Sequence, residues 1–321
     1  MFGILVHCGA IFAKRRGRTM KLTGIFLLIT GWVFTCGPEL NGQSPLQANE
    51  MLVSTDWLAE HLSDPQLVIL HYGMKSGYDQ EHIPGARYVN IWEFLVEDQQ
   101  GLRNELPGEE TLEQALRSLG LQNNSNIVIC YEDVNAISRA ARLYFTLDYA
   151  GLAGRVAILD GGLLAWKAEG RPLSDSEAVF ETGDVHIQIR EDVRILKEEV
   201  FANLHQEGVA LVDARPADRY YGAETDTNSP RQGHIEGAVN IPYFKLTGES
   251  GIQLLQPEDE LRNLFEAYNI EPETTLIVYC GSGIWASTVY FAAKLLGWDV
   301  RMYDGSIQEW GQDESLPISQ R

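Results

Sequence analysis

Short apolar runs alternate along this chain with stretches whose apolar positions recur every three to four residues. Val209 to Val212 and Leu276 to Tyr279 are continuous apolar runs without polar alternation, the pattern of strands buried on both faces. Glu258 to Tyr268 places Leu261, Leu264 and Phe265 on one helical face, and Ser287 to Leu296 reads as a helix closed by Gly297. Buried strands alternating with helices predict an α/β protein with parallel sheets flanked by helices.

The pattern occurs twice. Glu81-His82-Ile83-Pro84-Gly85-Ala86 returns as Gly233-His234-Ile235-Glu236-Gly237-Ala238. Ile127-Val128-Ile129-Cys130-Tyr131 returns as Leu276-Ile277-Val278-Tyr279-Cys280. Ile158-Leu159-Asp160-Gly161-Gly162 with Trp166 returns as Met302-Tyr303-Asp304-Gly305-Ser306 with Trp310. Three landmarks in one order, at nearly constant offset, indicate a tandem repeat. The domains are expected at 50–173 and 191–318, joined by a linker over 174–190.

A third apolar run, Leu22 to Phe34, is broken only by Thr and Gly and follows a basic segment. It is too short for a comfortable transmembrane helix and reads as an export signal over residues 1–36, with Met20 as the candidate start. Residues 37–49 read as a tether. The run ends Val33-Phe34-Thr35-Cys36-Gly37, which resembles a bacterial lipoprotein processing site with Cys36 as the lipidated residue. An ordinary signal peptide with an incidental cysteine is the other reading. The expected location is the periplasm or a bacterial membrane surface.

The 321 residues carry a net charge of −20, and Lys14, Arg15, Arg16, Arg18 and Lys21 concentrate positive charge at the start, so the remainder sums to −25. A body that acidic repels phosphate backbones, which excludes a nucleic-acid binder. The four cysteines, Cys8, Cys36, Cys130 and Cys280, lie far apart with no CxxC spacing, so neither a disulfide framework nor a metal site is expected.

Candidate chemistry concentrates at Tyr279-Cys280-Gly281-Ser282-Gly283-Ile284-Trp285-Ala286-Ser287. A buried strand running into a cysteine, two glycines and a helix places Cys280 at the C-terminal edge of a parallel sheet, where such folds bind ligands. Inward N–H groups and a helix N-terminus there are expected to lower the thiol pKa. Phosphate-ester hydrolysis is disfavoured, because the cradle of a cysteine phosphatase needs Arg six residues on, where this chain has Ala286.

With these motifs, the chain resembles the rhodanese superfamily, specifically the two-domain thiosulfate/3-mercaptopyruvate sulfurtransferases. The resemblance covers residues 51–318 and includes Leu211 to Pro216, Gly233 to Pro242, the Cys280 loop, and Tyr303-Asp304-Gly305-Ser306 with Glu309-Trp310. It implies two tandem rhodanese-like domains and a ping-pong transfer. The Cys280 thiolate takes a sulfane sulfur from a small donor, then passes it to cyanide, a thiol or a reduced protein dithiol. No cofactor is implied. A persulfide carrier with little small-molecule turnover is the alternative.

The Cys-Gly-Ser-Gly loop matches members that prefer 3-mercaptopyruvate, whereas thiosulfate-preferring members resemble Cys-Arg-Lys-Gly. The resemblance further implies that Arg219, in Asp218-Arg219-Tyr220-Tyr221-Gly222, and Arg231 hold the substrate carboxylate. Asp213 and Arg215 are expected to pair structurally, His234 to stabilise its loop, and Asp304 to hold a turn near the site. Ser282 is read either as a substrate or proton-relay group or as a helix N-terminal hydroxyl. Trp285, with Ile284 and Ala286, departs from the family's Val-Thr-Ala, and is read either as packing or as altered substrate choice. In the first copy Glu132 is aligned with Cys280, Cys130 is an inert core thiol, and His82 is a candidate to reach the site from the domain interface.

Overall fold

The computed structural model describes residues 46, 50–133, 136–248 and 255–320. The export signal, the start at Met20 and the Cys36 anchor lie outside the described residues, as does nearly all of the tether.

The first domain runs β1 (Leu52–Val53), α1 (Thr55–His61), β2 (Leu67–Tyr72), α2 (Lys75–Gln80), β3 (Arg87–Val89), α3 (Glu109–Ser118), β4 (Asn126–Tyr131), α4 (Ile137–Tyr149), β5 (Val156–Leu159) and α5 (Gly162–Ala168). The second runs α6 (Lys197–Ala202), β6 (Val209–Asp213), α7 (Ala217–Tyr220), β7 (His234–Ile235), β8 (Val239–Asn240), α8 (Glu258–Glu266), β9 (Thr275–Tyr279), α9 (Ala286–Leu295), β10 (Val300–Met302), α10 (Ser306–Trp310) and β11 (Ile318–Ser319). Each domain is a parallel sheet covered by helices, in the order β1-β5-β4-β2-β3 and β10-β9-β6-β8. The continuous apolar runs form the central strands for the expected reason: every residue of β4 and all but the first of β9 are buried. The α9 helix closes through Gly297 at φ +75°, with the amides of Gly297 and Trp298 donating back to the carbonyls of Lys294 and Ala293.

Strand register corrects the alignment of the two copies. In the first sheet Ile129 is level with Ile158 and Cys130 with His71; in the second Val278 is level with Met302 and Tyr279 with Asp213. Tyr131, not Glu132, therefore stands at the position of Cys280, and His71 at that of Asp213. The alternation of strand side chains agrees: Cys280 and Tyr131 share one core cluster, while Cys130 and Tyr279 lie on the opposite faces of their sheets. Cys130 is fully buried and its thiol is pushed far up by burial, as expected of an inert core thiol.

The domains join through α4 and α9. Tyr144 meets Phe291 edge-on with ring centroids 4.8 Å apart, and Phe145 meets Tyr290 at 5.0 Å. The contact is self-complementary because both helices carry Tyr-Phe at the same turn, so the repeat packs as a pseudo-twofold pair. One apolar core runs through both domains at this seam.

Candidate active site

The β9 strand delivers Cys280 to the C-terminal edge of the second sheet, with the thiol 1% exposed. The loop then turns back at Gly283, whose φ of +78° favours glycine, and enters α9 at Ala286. A Cβ on Gly283 would also come within 2.5 Å of Arg142 and Asp304, so a close approach and a left-handed backbone both exclude a side chain. At Gly281 only the close approach applies, to the Asn228 side chain. Ser306 pins the loop from behind: its hydroxyl accepts from the amides of Cys280 and Gly283, each at 3.2 Å, and donates to Tyr303 O. Ser306 itself has φ +54°, an uncommon conformation for a non-glycine residue.

The backbone N–H groups of Ala286, Ser282 and Trp285 face the Cys280 sulfur and favour its anion. Burial opposes them and is larger, so the thiol lies above its ordinary pKa. The expected N–H cradle is present; the expected net lowering of the thiol pKa is not.

Cys280, Gly281, Ser282, Ile284 and Trp285 form one wall of a cavity of about 290 Å³. Arg219, Asn228, Tyr243 and Phe244 complete the second domain's share, and Trp92, Asn104, Ser138 and Arg139 come from the first domain. Gly283 and Ala286 stand behind the wall, where Ala286 is fully buried. The Ser282 hydroxyl accepts from Asn104 Nδ2 at 2.8 Å, so it faces the cleft and is held by the opposite domain. The Trp285 ring stacks on Tyr243 at 5.1 Å and lies 5.2 Å below the Arg219 guanidinium. It therefore packs and lines the cavity at once, and it steadies Arg219. Arg219 keeps hydrogen-bonding capacity at its terminal nitrogens, since Glu224 lies 3.7 Å from one of them, beyond hydrogen-bond distance.

Arg231 does not belong to this cavity. Its guanidinium donates to the carbonyls of Gly311, Leu316, Trp310 and Asp313, which commits it to stapling the C-terminal segment. Asp304 does more than hold a turn. It forms a buried ion pair across the domain seam with Arg142 and accepts from the Leu106 amide at 3.0 Å. Asp213 and Arg215 form the expected buried pair, which Asp226 extends at 3.1 Å. His234 stacks on Tyr220 with ring centroids 3.6 Å apart and bonds Tyr220 O through Nδ1, a structural role. Burial, the largest influence, lowers its pKa. His82 makes the same stack on Tyr78 and bonds Tyr78 O and Ser176 O, so it does not reach the site. Among the described residues no His/Cys/Asp/Glu group could hold a metal ion.

Sequence reasoning missed Asn104, Arg139, Arg142 and Ser306. The first three come from the copy without a nucleophile, where the repeat comparison pointed only to His82. A signal existed in Arg139 and Arg142, two cations three residues apart in a helical run that is mostly apolar.

The profile of the rhodanese-like domain matches residues 54–169 and 196–313. The chain is 33% identical over 279 residues to the 3-mercaptopyruvate sulfurtransferase of Escherichia coli (strain K12), covering 83% of this chain and 96% of that protein. It is also 33% identical over 287 residues to the sulfur carrier protein TtuD of Thermus thermophilus, covering 84% and 96%. The crystal structure of SseA from Escherichia coli, described as a 3-mercaptopyruvate sulfotransferase, superposes with a TM-score of 0.71 at 30% identity, covering 80% of this chain and 98% of that one. Site, fold and relatives agree: the chain belongs to the rhodanese family and is a sulfurtransferase of two tandem rhodanese-like domains.

Proposed function

We propose that this sulfurtransferase takes its sulfur from 3-mercaptopyruvate, with thiosulfate as the lesser donor, and carries it as a persulfide on Cys280. The observation that carries this reading is the Cys280 sulfur facing three backbone N–H groups in a cavity that also exposes the Arg219 guanidinium. The Cys280 thiolate attacks the donor sulfur and the carbon–sulfur bond breaks. Its electron pair passes into the adjacent carbonyl as an enolate, which a proton converts to pyruvate. The outer sulfur of the persulfide bears the negative charge that the N–H cradle favours. A thiol or cyanide then attacks that sulfur, the sulfur–sulfur bond breaks, and the Cys280 thiolate is restored. Arg219 holds the donor carboxylate, and the uncharged Gly281-Ser282-Gly283 loop suits a monoanion better than a dianion. At about 290 Å³ the cavity is at the small end of ligand sites, which supports a small donor.

The test is sulfur transfer to cyanide from each donor by the full chain and its Cys280→Ser variant. A preference for 3-mercaptopyruvate with an inactive variant supports the reading. A preference for thiosulfate overturns the donor assignment. Persulfide formation without turnover on either donor transfers the case to the carrier alternative, which the likeness to a sulfur carrier protein supports.

We also propose that the leader exports the enzyme and that Cys36 anchors it, on the strength of the basic segment and apolar run ahead of that cysteine. Labelled palmitate should enter the native protein and be absent from Cys36→Ala; equal labelling of both would overturn the anchor.

A further inference from the structure

The cavity over Cys280 holds a cation that the catalytic domain does not supply. Arg139, in the first turn of α4, lines that cavity together with Arg219. It also lines a second cavity of about 470 Å³ at the edge of the first domain's sheet. Trp92 is shared in the same way, so the two cavities adjoin along one wall. Among the described residues Arg139 has neither a hydrogen bond nor an ion pair. The second cavity also presents Glu132, Asp133 and Lys75, whereas among the described residues no carboxylate lines the cavity over Cys280, so the Arg139 charge is unopposed on that wall alone. The neighbouring cations are committed elsewhere. Arg142 is held by Asp304 and Asn104 O, Arg103 donates to Asn228, and Arg231 is used up on carbonyls. Arg139 and Arg219, one from each domain, are left with donors to spare on the same cavity.

We propose that Arg139 is a carboxylate-binding residue of the sulfur-transfer reaction, closing with Arg219 a two-guanidinium site across the domain cleft. The ligand group is the carboxylate of a thiol substrate. It belongs either to the 2-oxo acid donor over Cys280 or to an acidic thiol acceptor that extends into the second cavity. Two guanidinium groups suit a carboxylate because their planar donors match its paired oxygens. The domain without a nucleophile thus contributes to substrate choice. This inference rests on the reading of Cys280 as the sulfur carrier.

The experiment uses the full chain with Arg139→Gln and Arg139→Lys, and separates the half-reactions. Loading of Cys280 is followed at varied 3-mercaptopyruvate. Discharge of the loaded enzyme is followed with 3-mercaptopropionate and with uncharged 2-mercaptoethanol. Binding of pyruvate is followed separately through tryptophan fluorescence, since Trp92 and Trp285 lie on the wall. In Arg139→Gln we expect about a tenfold rise in the half-saturating concentration of at least one carboxylate-bearing thiol, partial recovery in Arg139→Lys, and no change with 2-mercaptoethanol. A shift in the loading arm assigns the carboxylate to the donor, and a shift in the discharge arm to the acceptor. Unchanged half-saturation in both arms overturns the proposal, as does an equal shift with 2-mercaptoethanol. If the unaltered chain takes up no sulfur on Cys280 from 3-mercaptopyruvate or from thiosulfate, the Cys280 reading has failed. Pyruvate binding then decides Arg139: weakening in Arg139→Gln supports the proposal, and equal binding overturns it.

Discussion

Two arginines of the second domain separate structural from chemical work at the scale of single residues. Arg231 donates to four backbone carbonyls, so its loss removes a staple and leaves the cavity intact. Arg231→Gln should cost about 1–3 kcal/mol of stability, read as a lower Tm, with the donor KM unchanged. Arg219→Gln should do the reverse, raising the donor KM about tenfold or more with little change in Tm. Steady-state kinetics beside thermal melting checks both. The Cys280 thiol gives a pH prediction: because burial outweighs the N–H cradle, alkylation of the free enzyme should accelerate through a midpoint above that of an ordinary cysteine. A midpoint below neutrality would show that the cradle wins. Cys280 and Arg219 were legible in the sequence because each sits in a local motif. The role of Arg231 was not, because its partners lie about eighty residues away in sequence and are main-chain atoms.

At the scale of elements, the loop from β9 to α9 owes its shape to others. Ser306 at the start of α10 fixes it from behind, and the Arg142–Asp304 pair fills the space beside Gly283. Glu105 lies against this pair, and burial and then the Asp304 charge raise its pKa to about 9. The folded state therefore keeps a proton that the unfolded chain releases near pH 4.5. Glu105 should make the protein progressively less stable as pH rises from about 4.5 toward 9. Glu105→Gln should flatten that decline in denaturant midpoints measured across the window; an unchanged slope would contradict the assignment. The strands and helices were legible from apolar runs and spacing. The five-residue match of Ile127–Tyr131 with Leu276–Cys280 agrees with strand register in setting Tyr131 level with Cys280; pairing Glu132 with Cys280 follows from matching Tyr131 to Tyr279 and is off by one residue.

For the molecule as a whole, duplication explains both the seam and the division of labour. The repeated Tyr-Phe of α4 and α9 builds a self-complementary interface, and the cleft beside it gathers Cys280 and Arg219 from one copy with Asn104 and Arg139 from the other. The tandem repeat was plain in the sequence. Which residues of the first copy reach the site was not: the sequence pointed to His82, whereas Asn104 and Arg139 are there, through contacts between segments more than a hundred residues apart. The central claim is that sulfur rests on Cys280. It is tested most directly by exposing the full chain to 3-mercaptopyruvate, removing the donor, and weighing the Cys280 peptide before and after cyanide. The account predicts a gain of one sulfur atom, absent from Cys280→Ser and removed by cyanide as thiocyanate. Sulfur transfer that persists in Cys280→Ser, or a sulfur gain on any other residue, would contradict it.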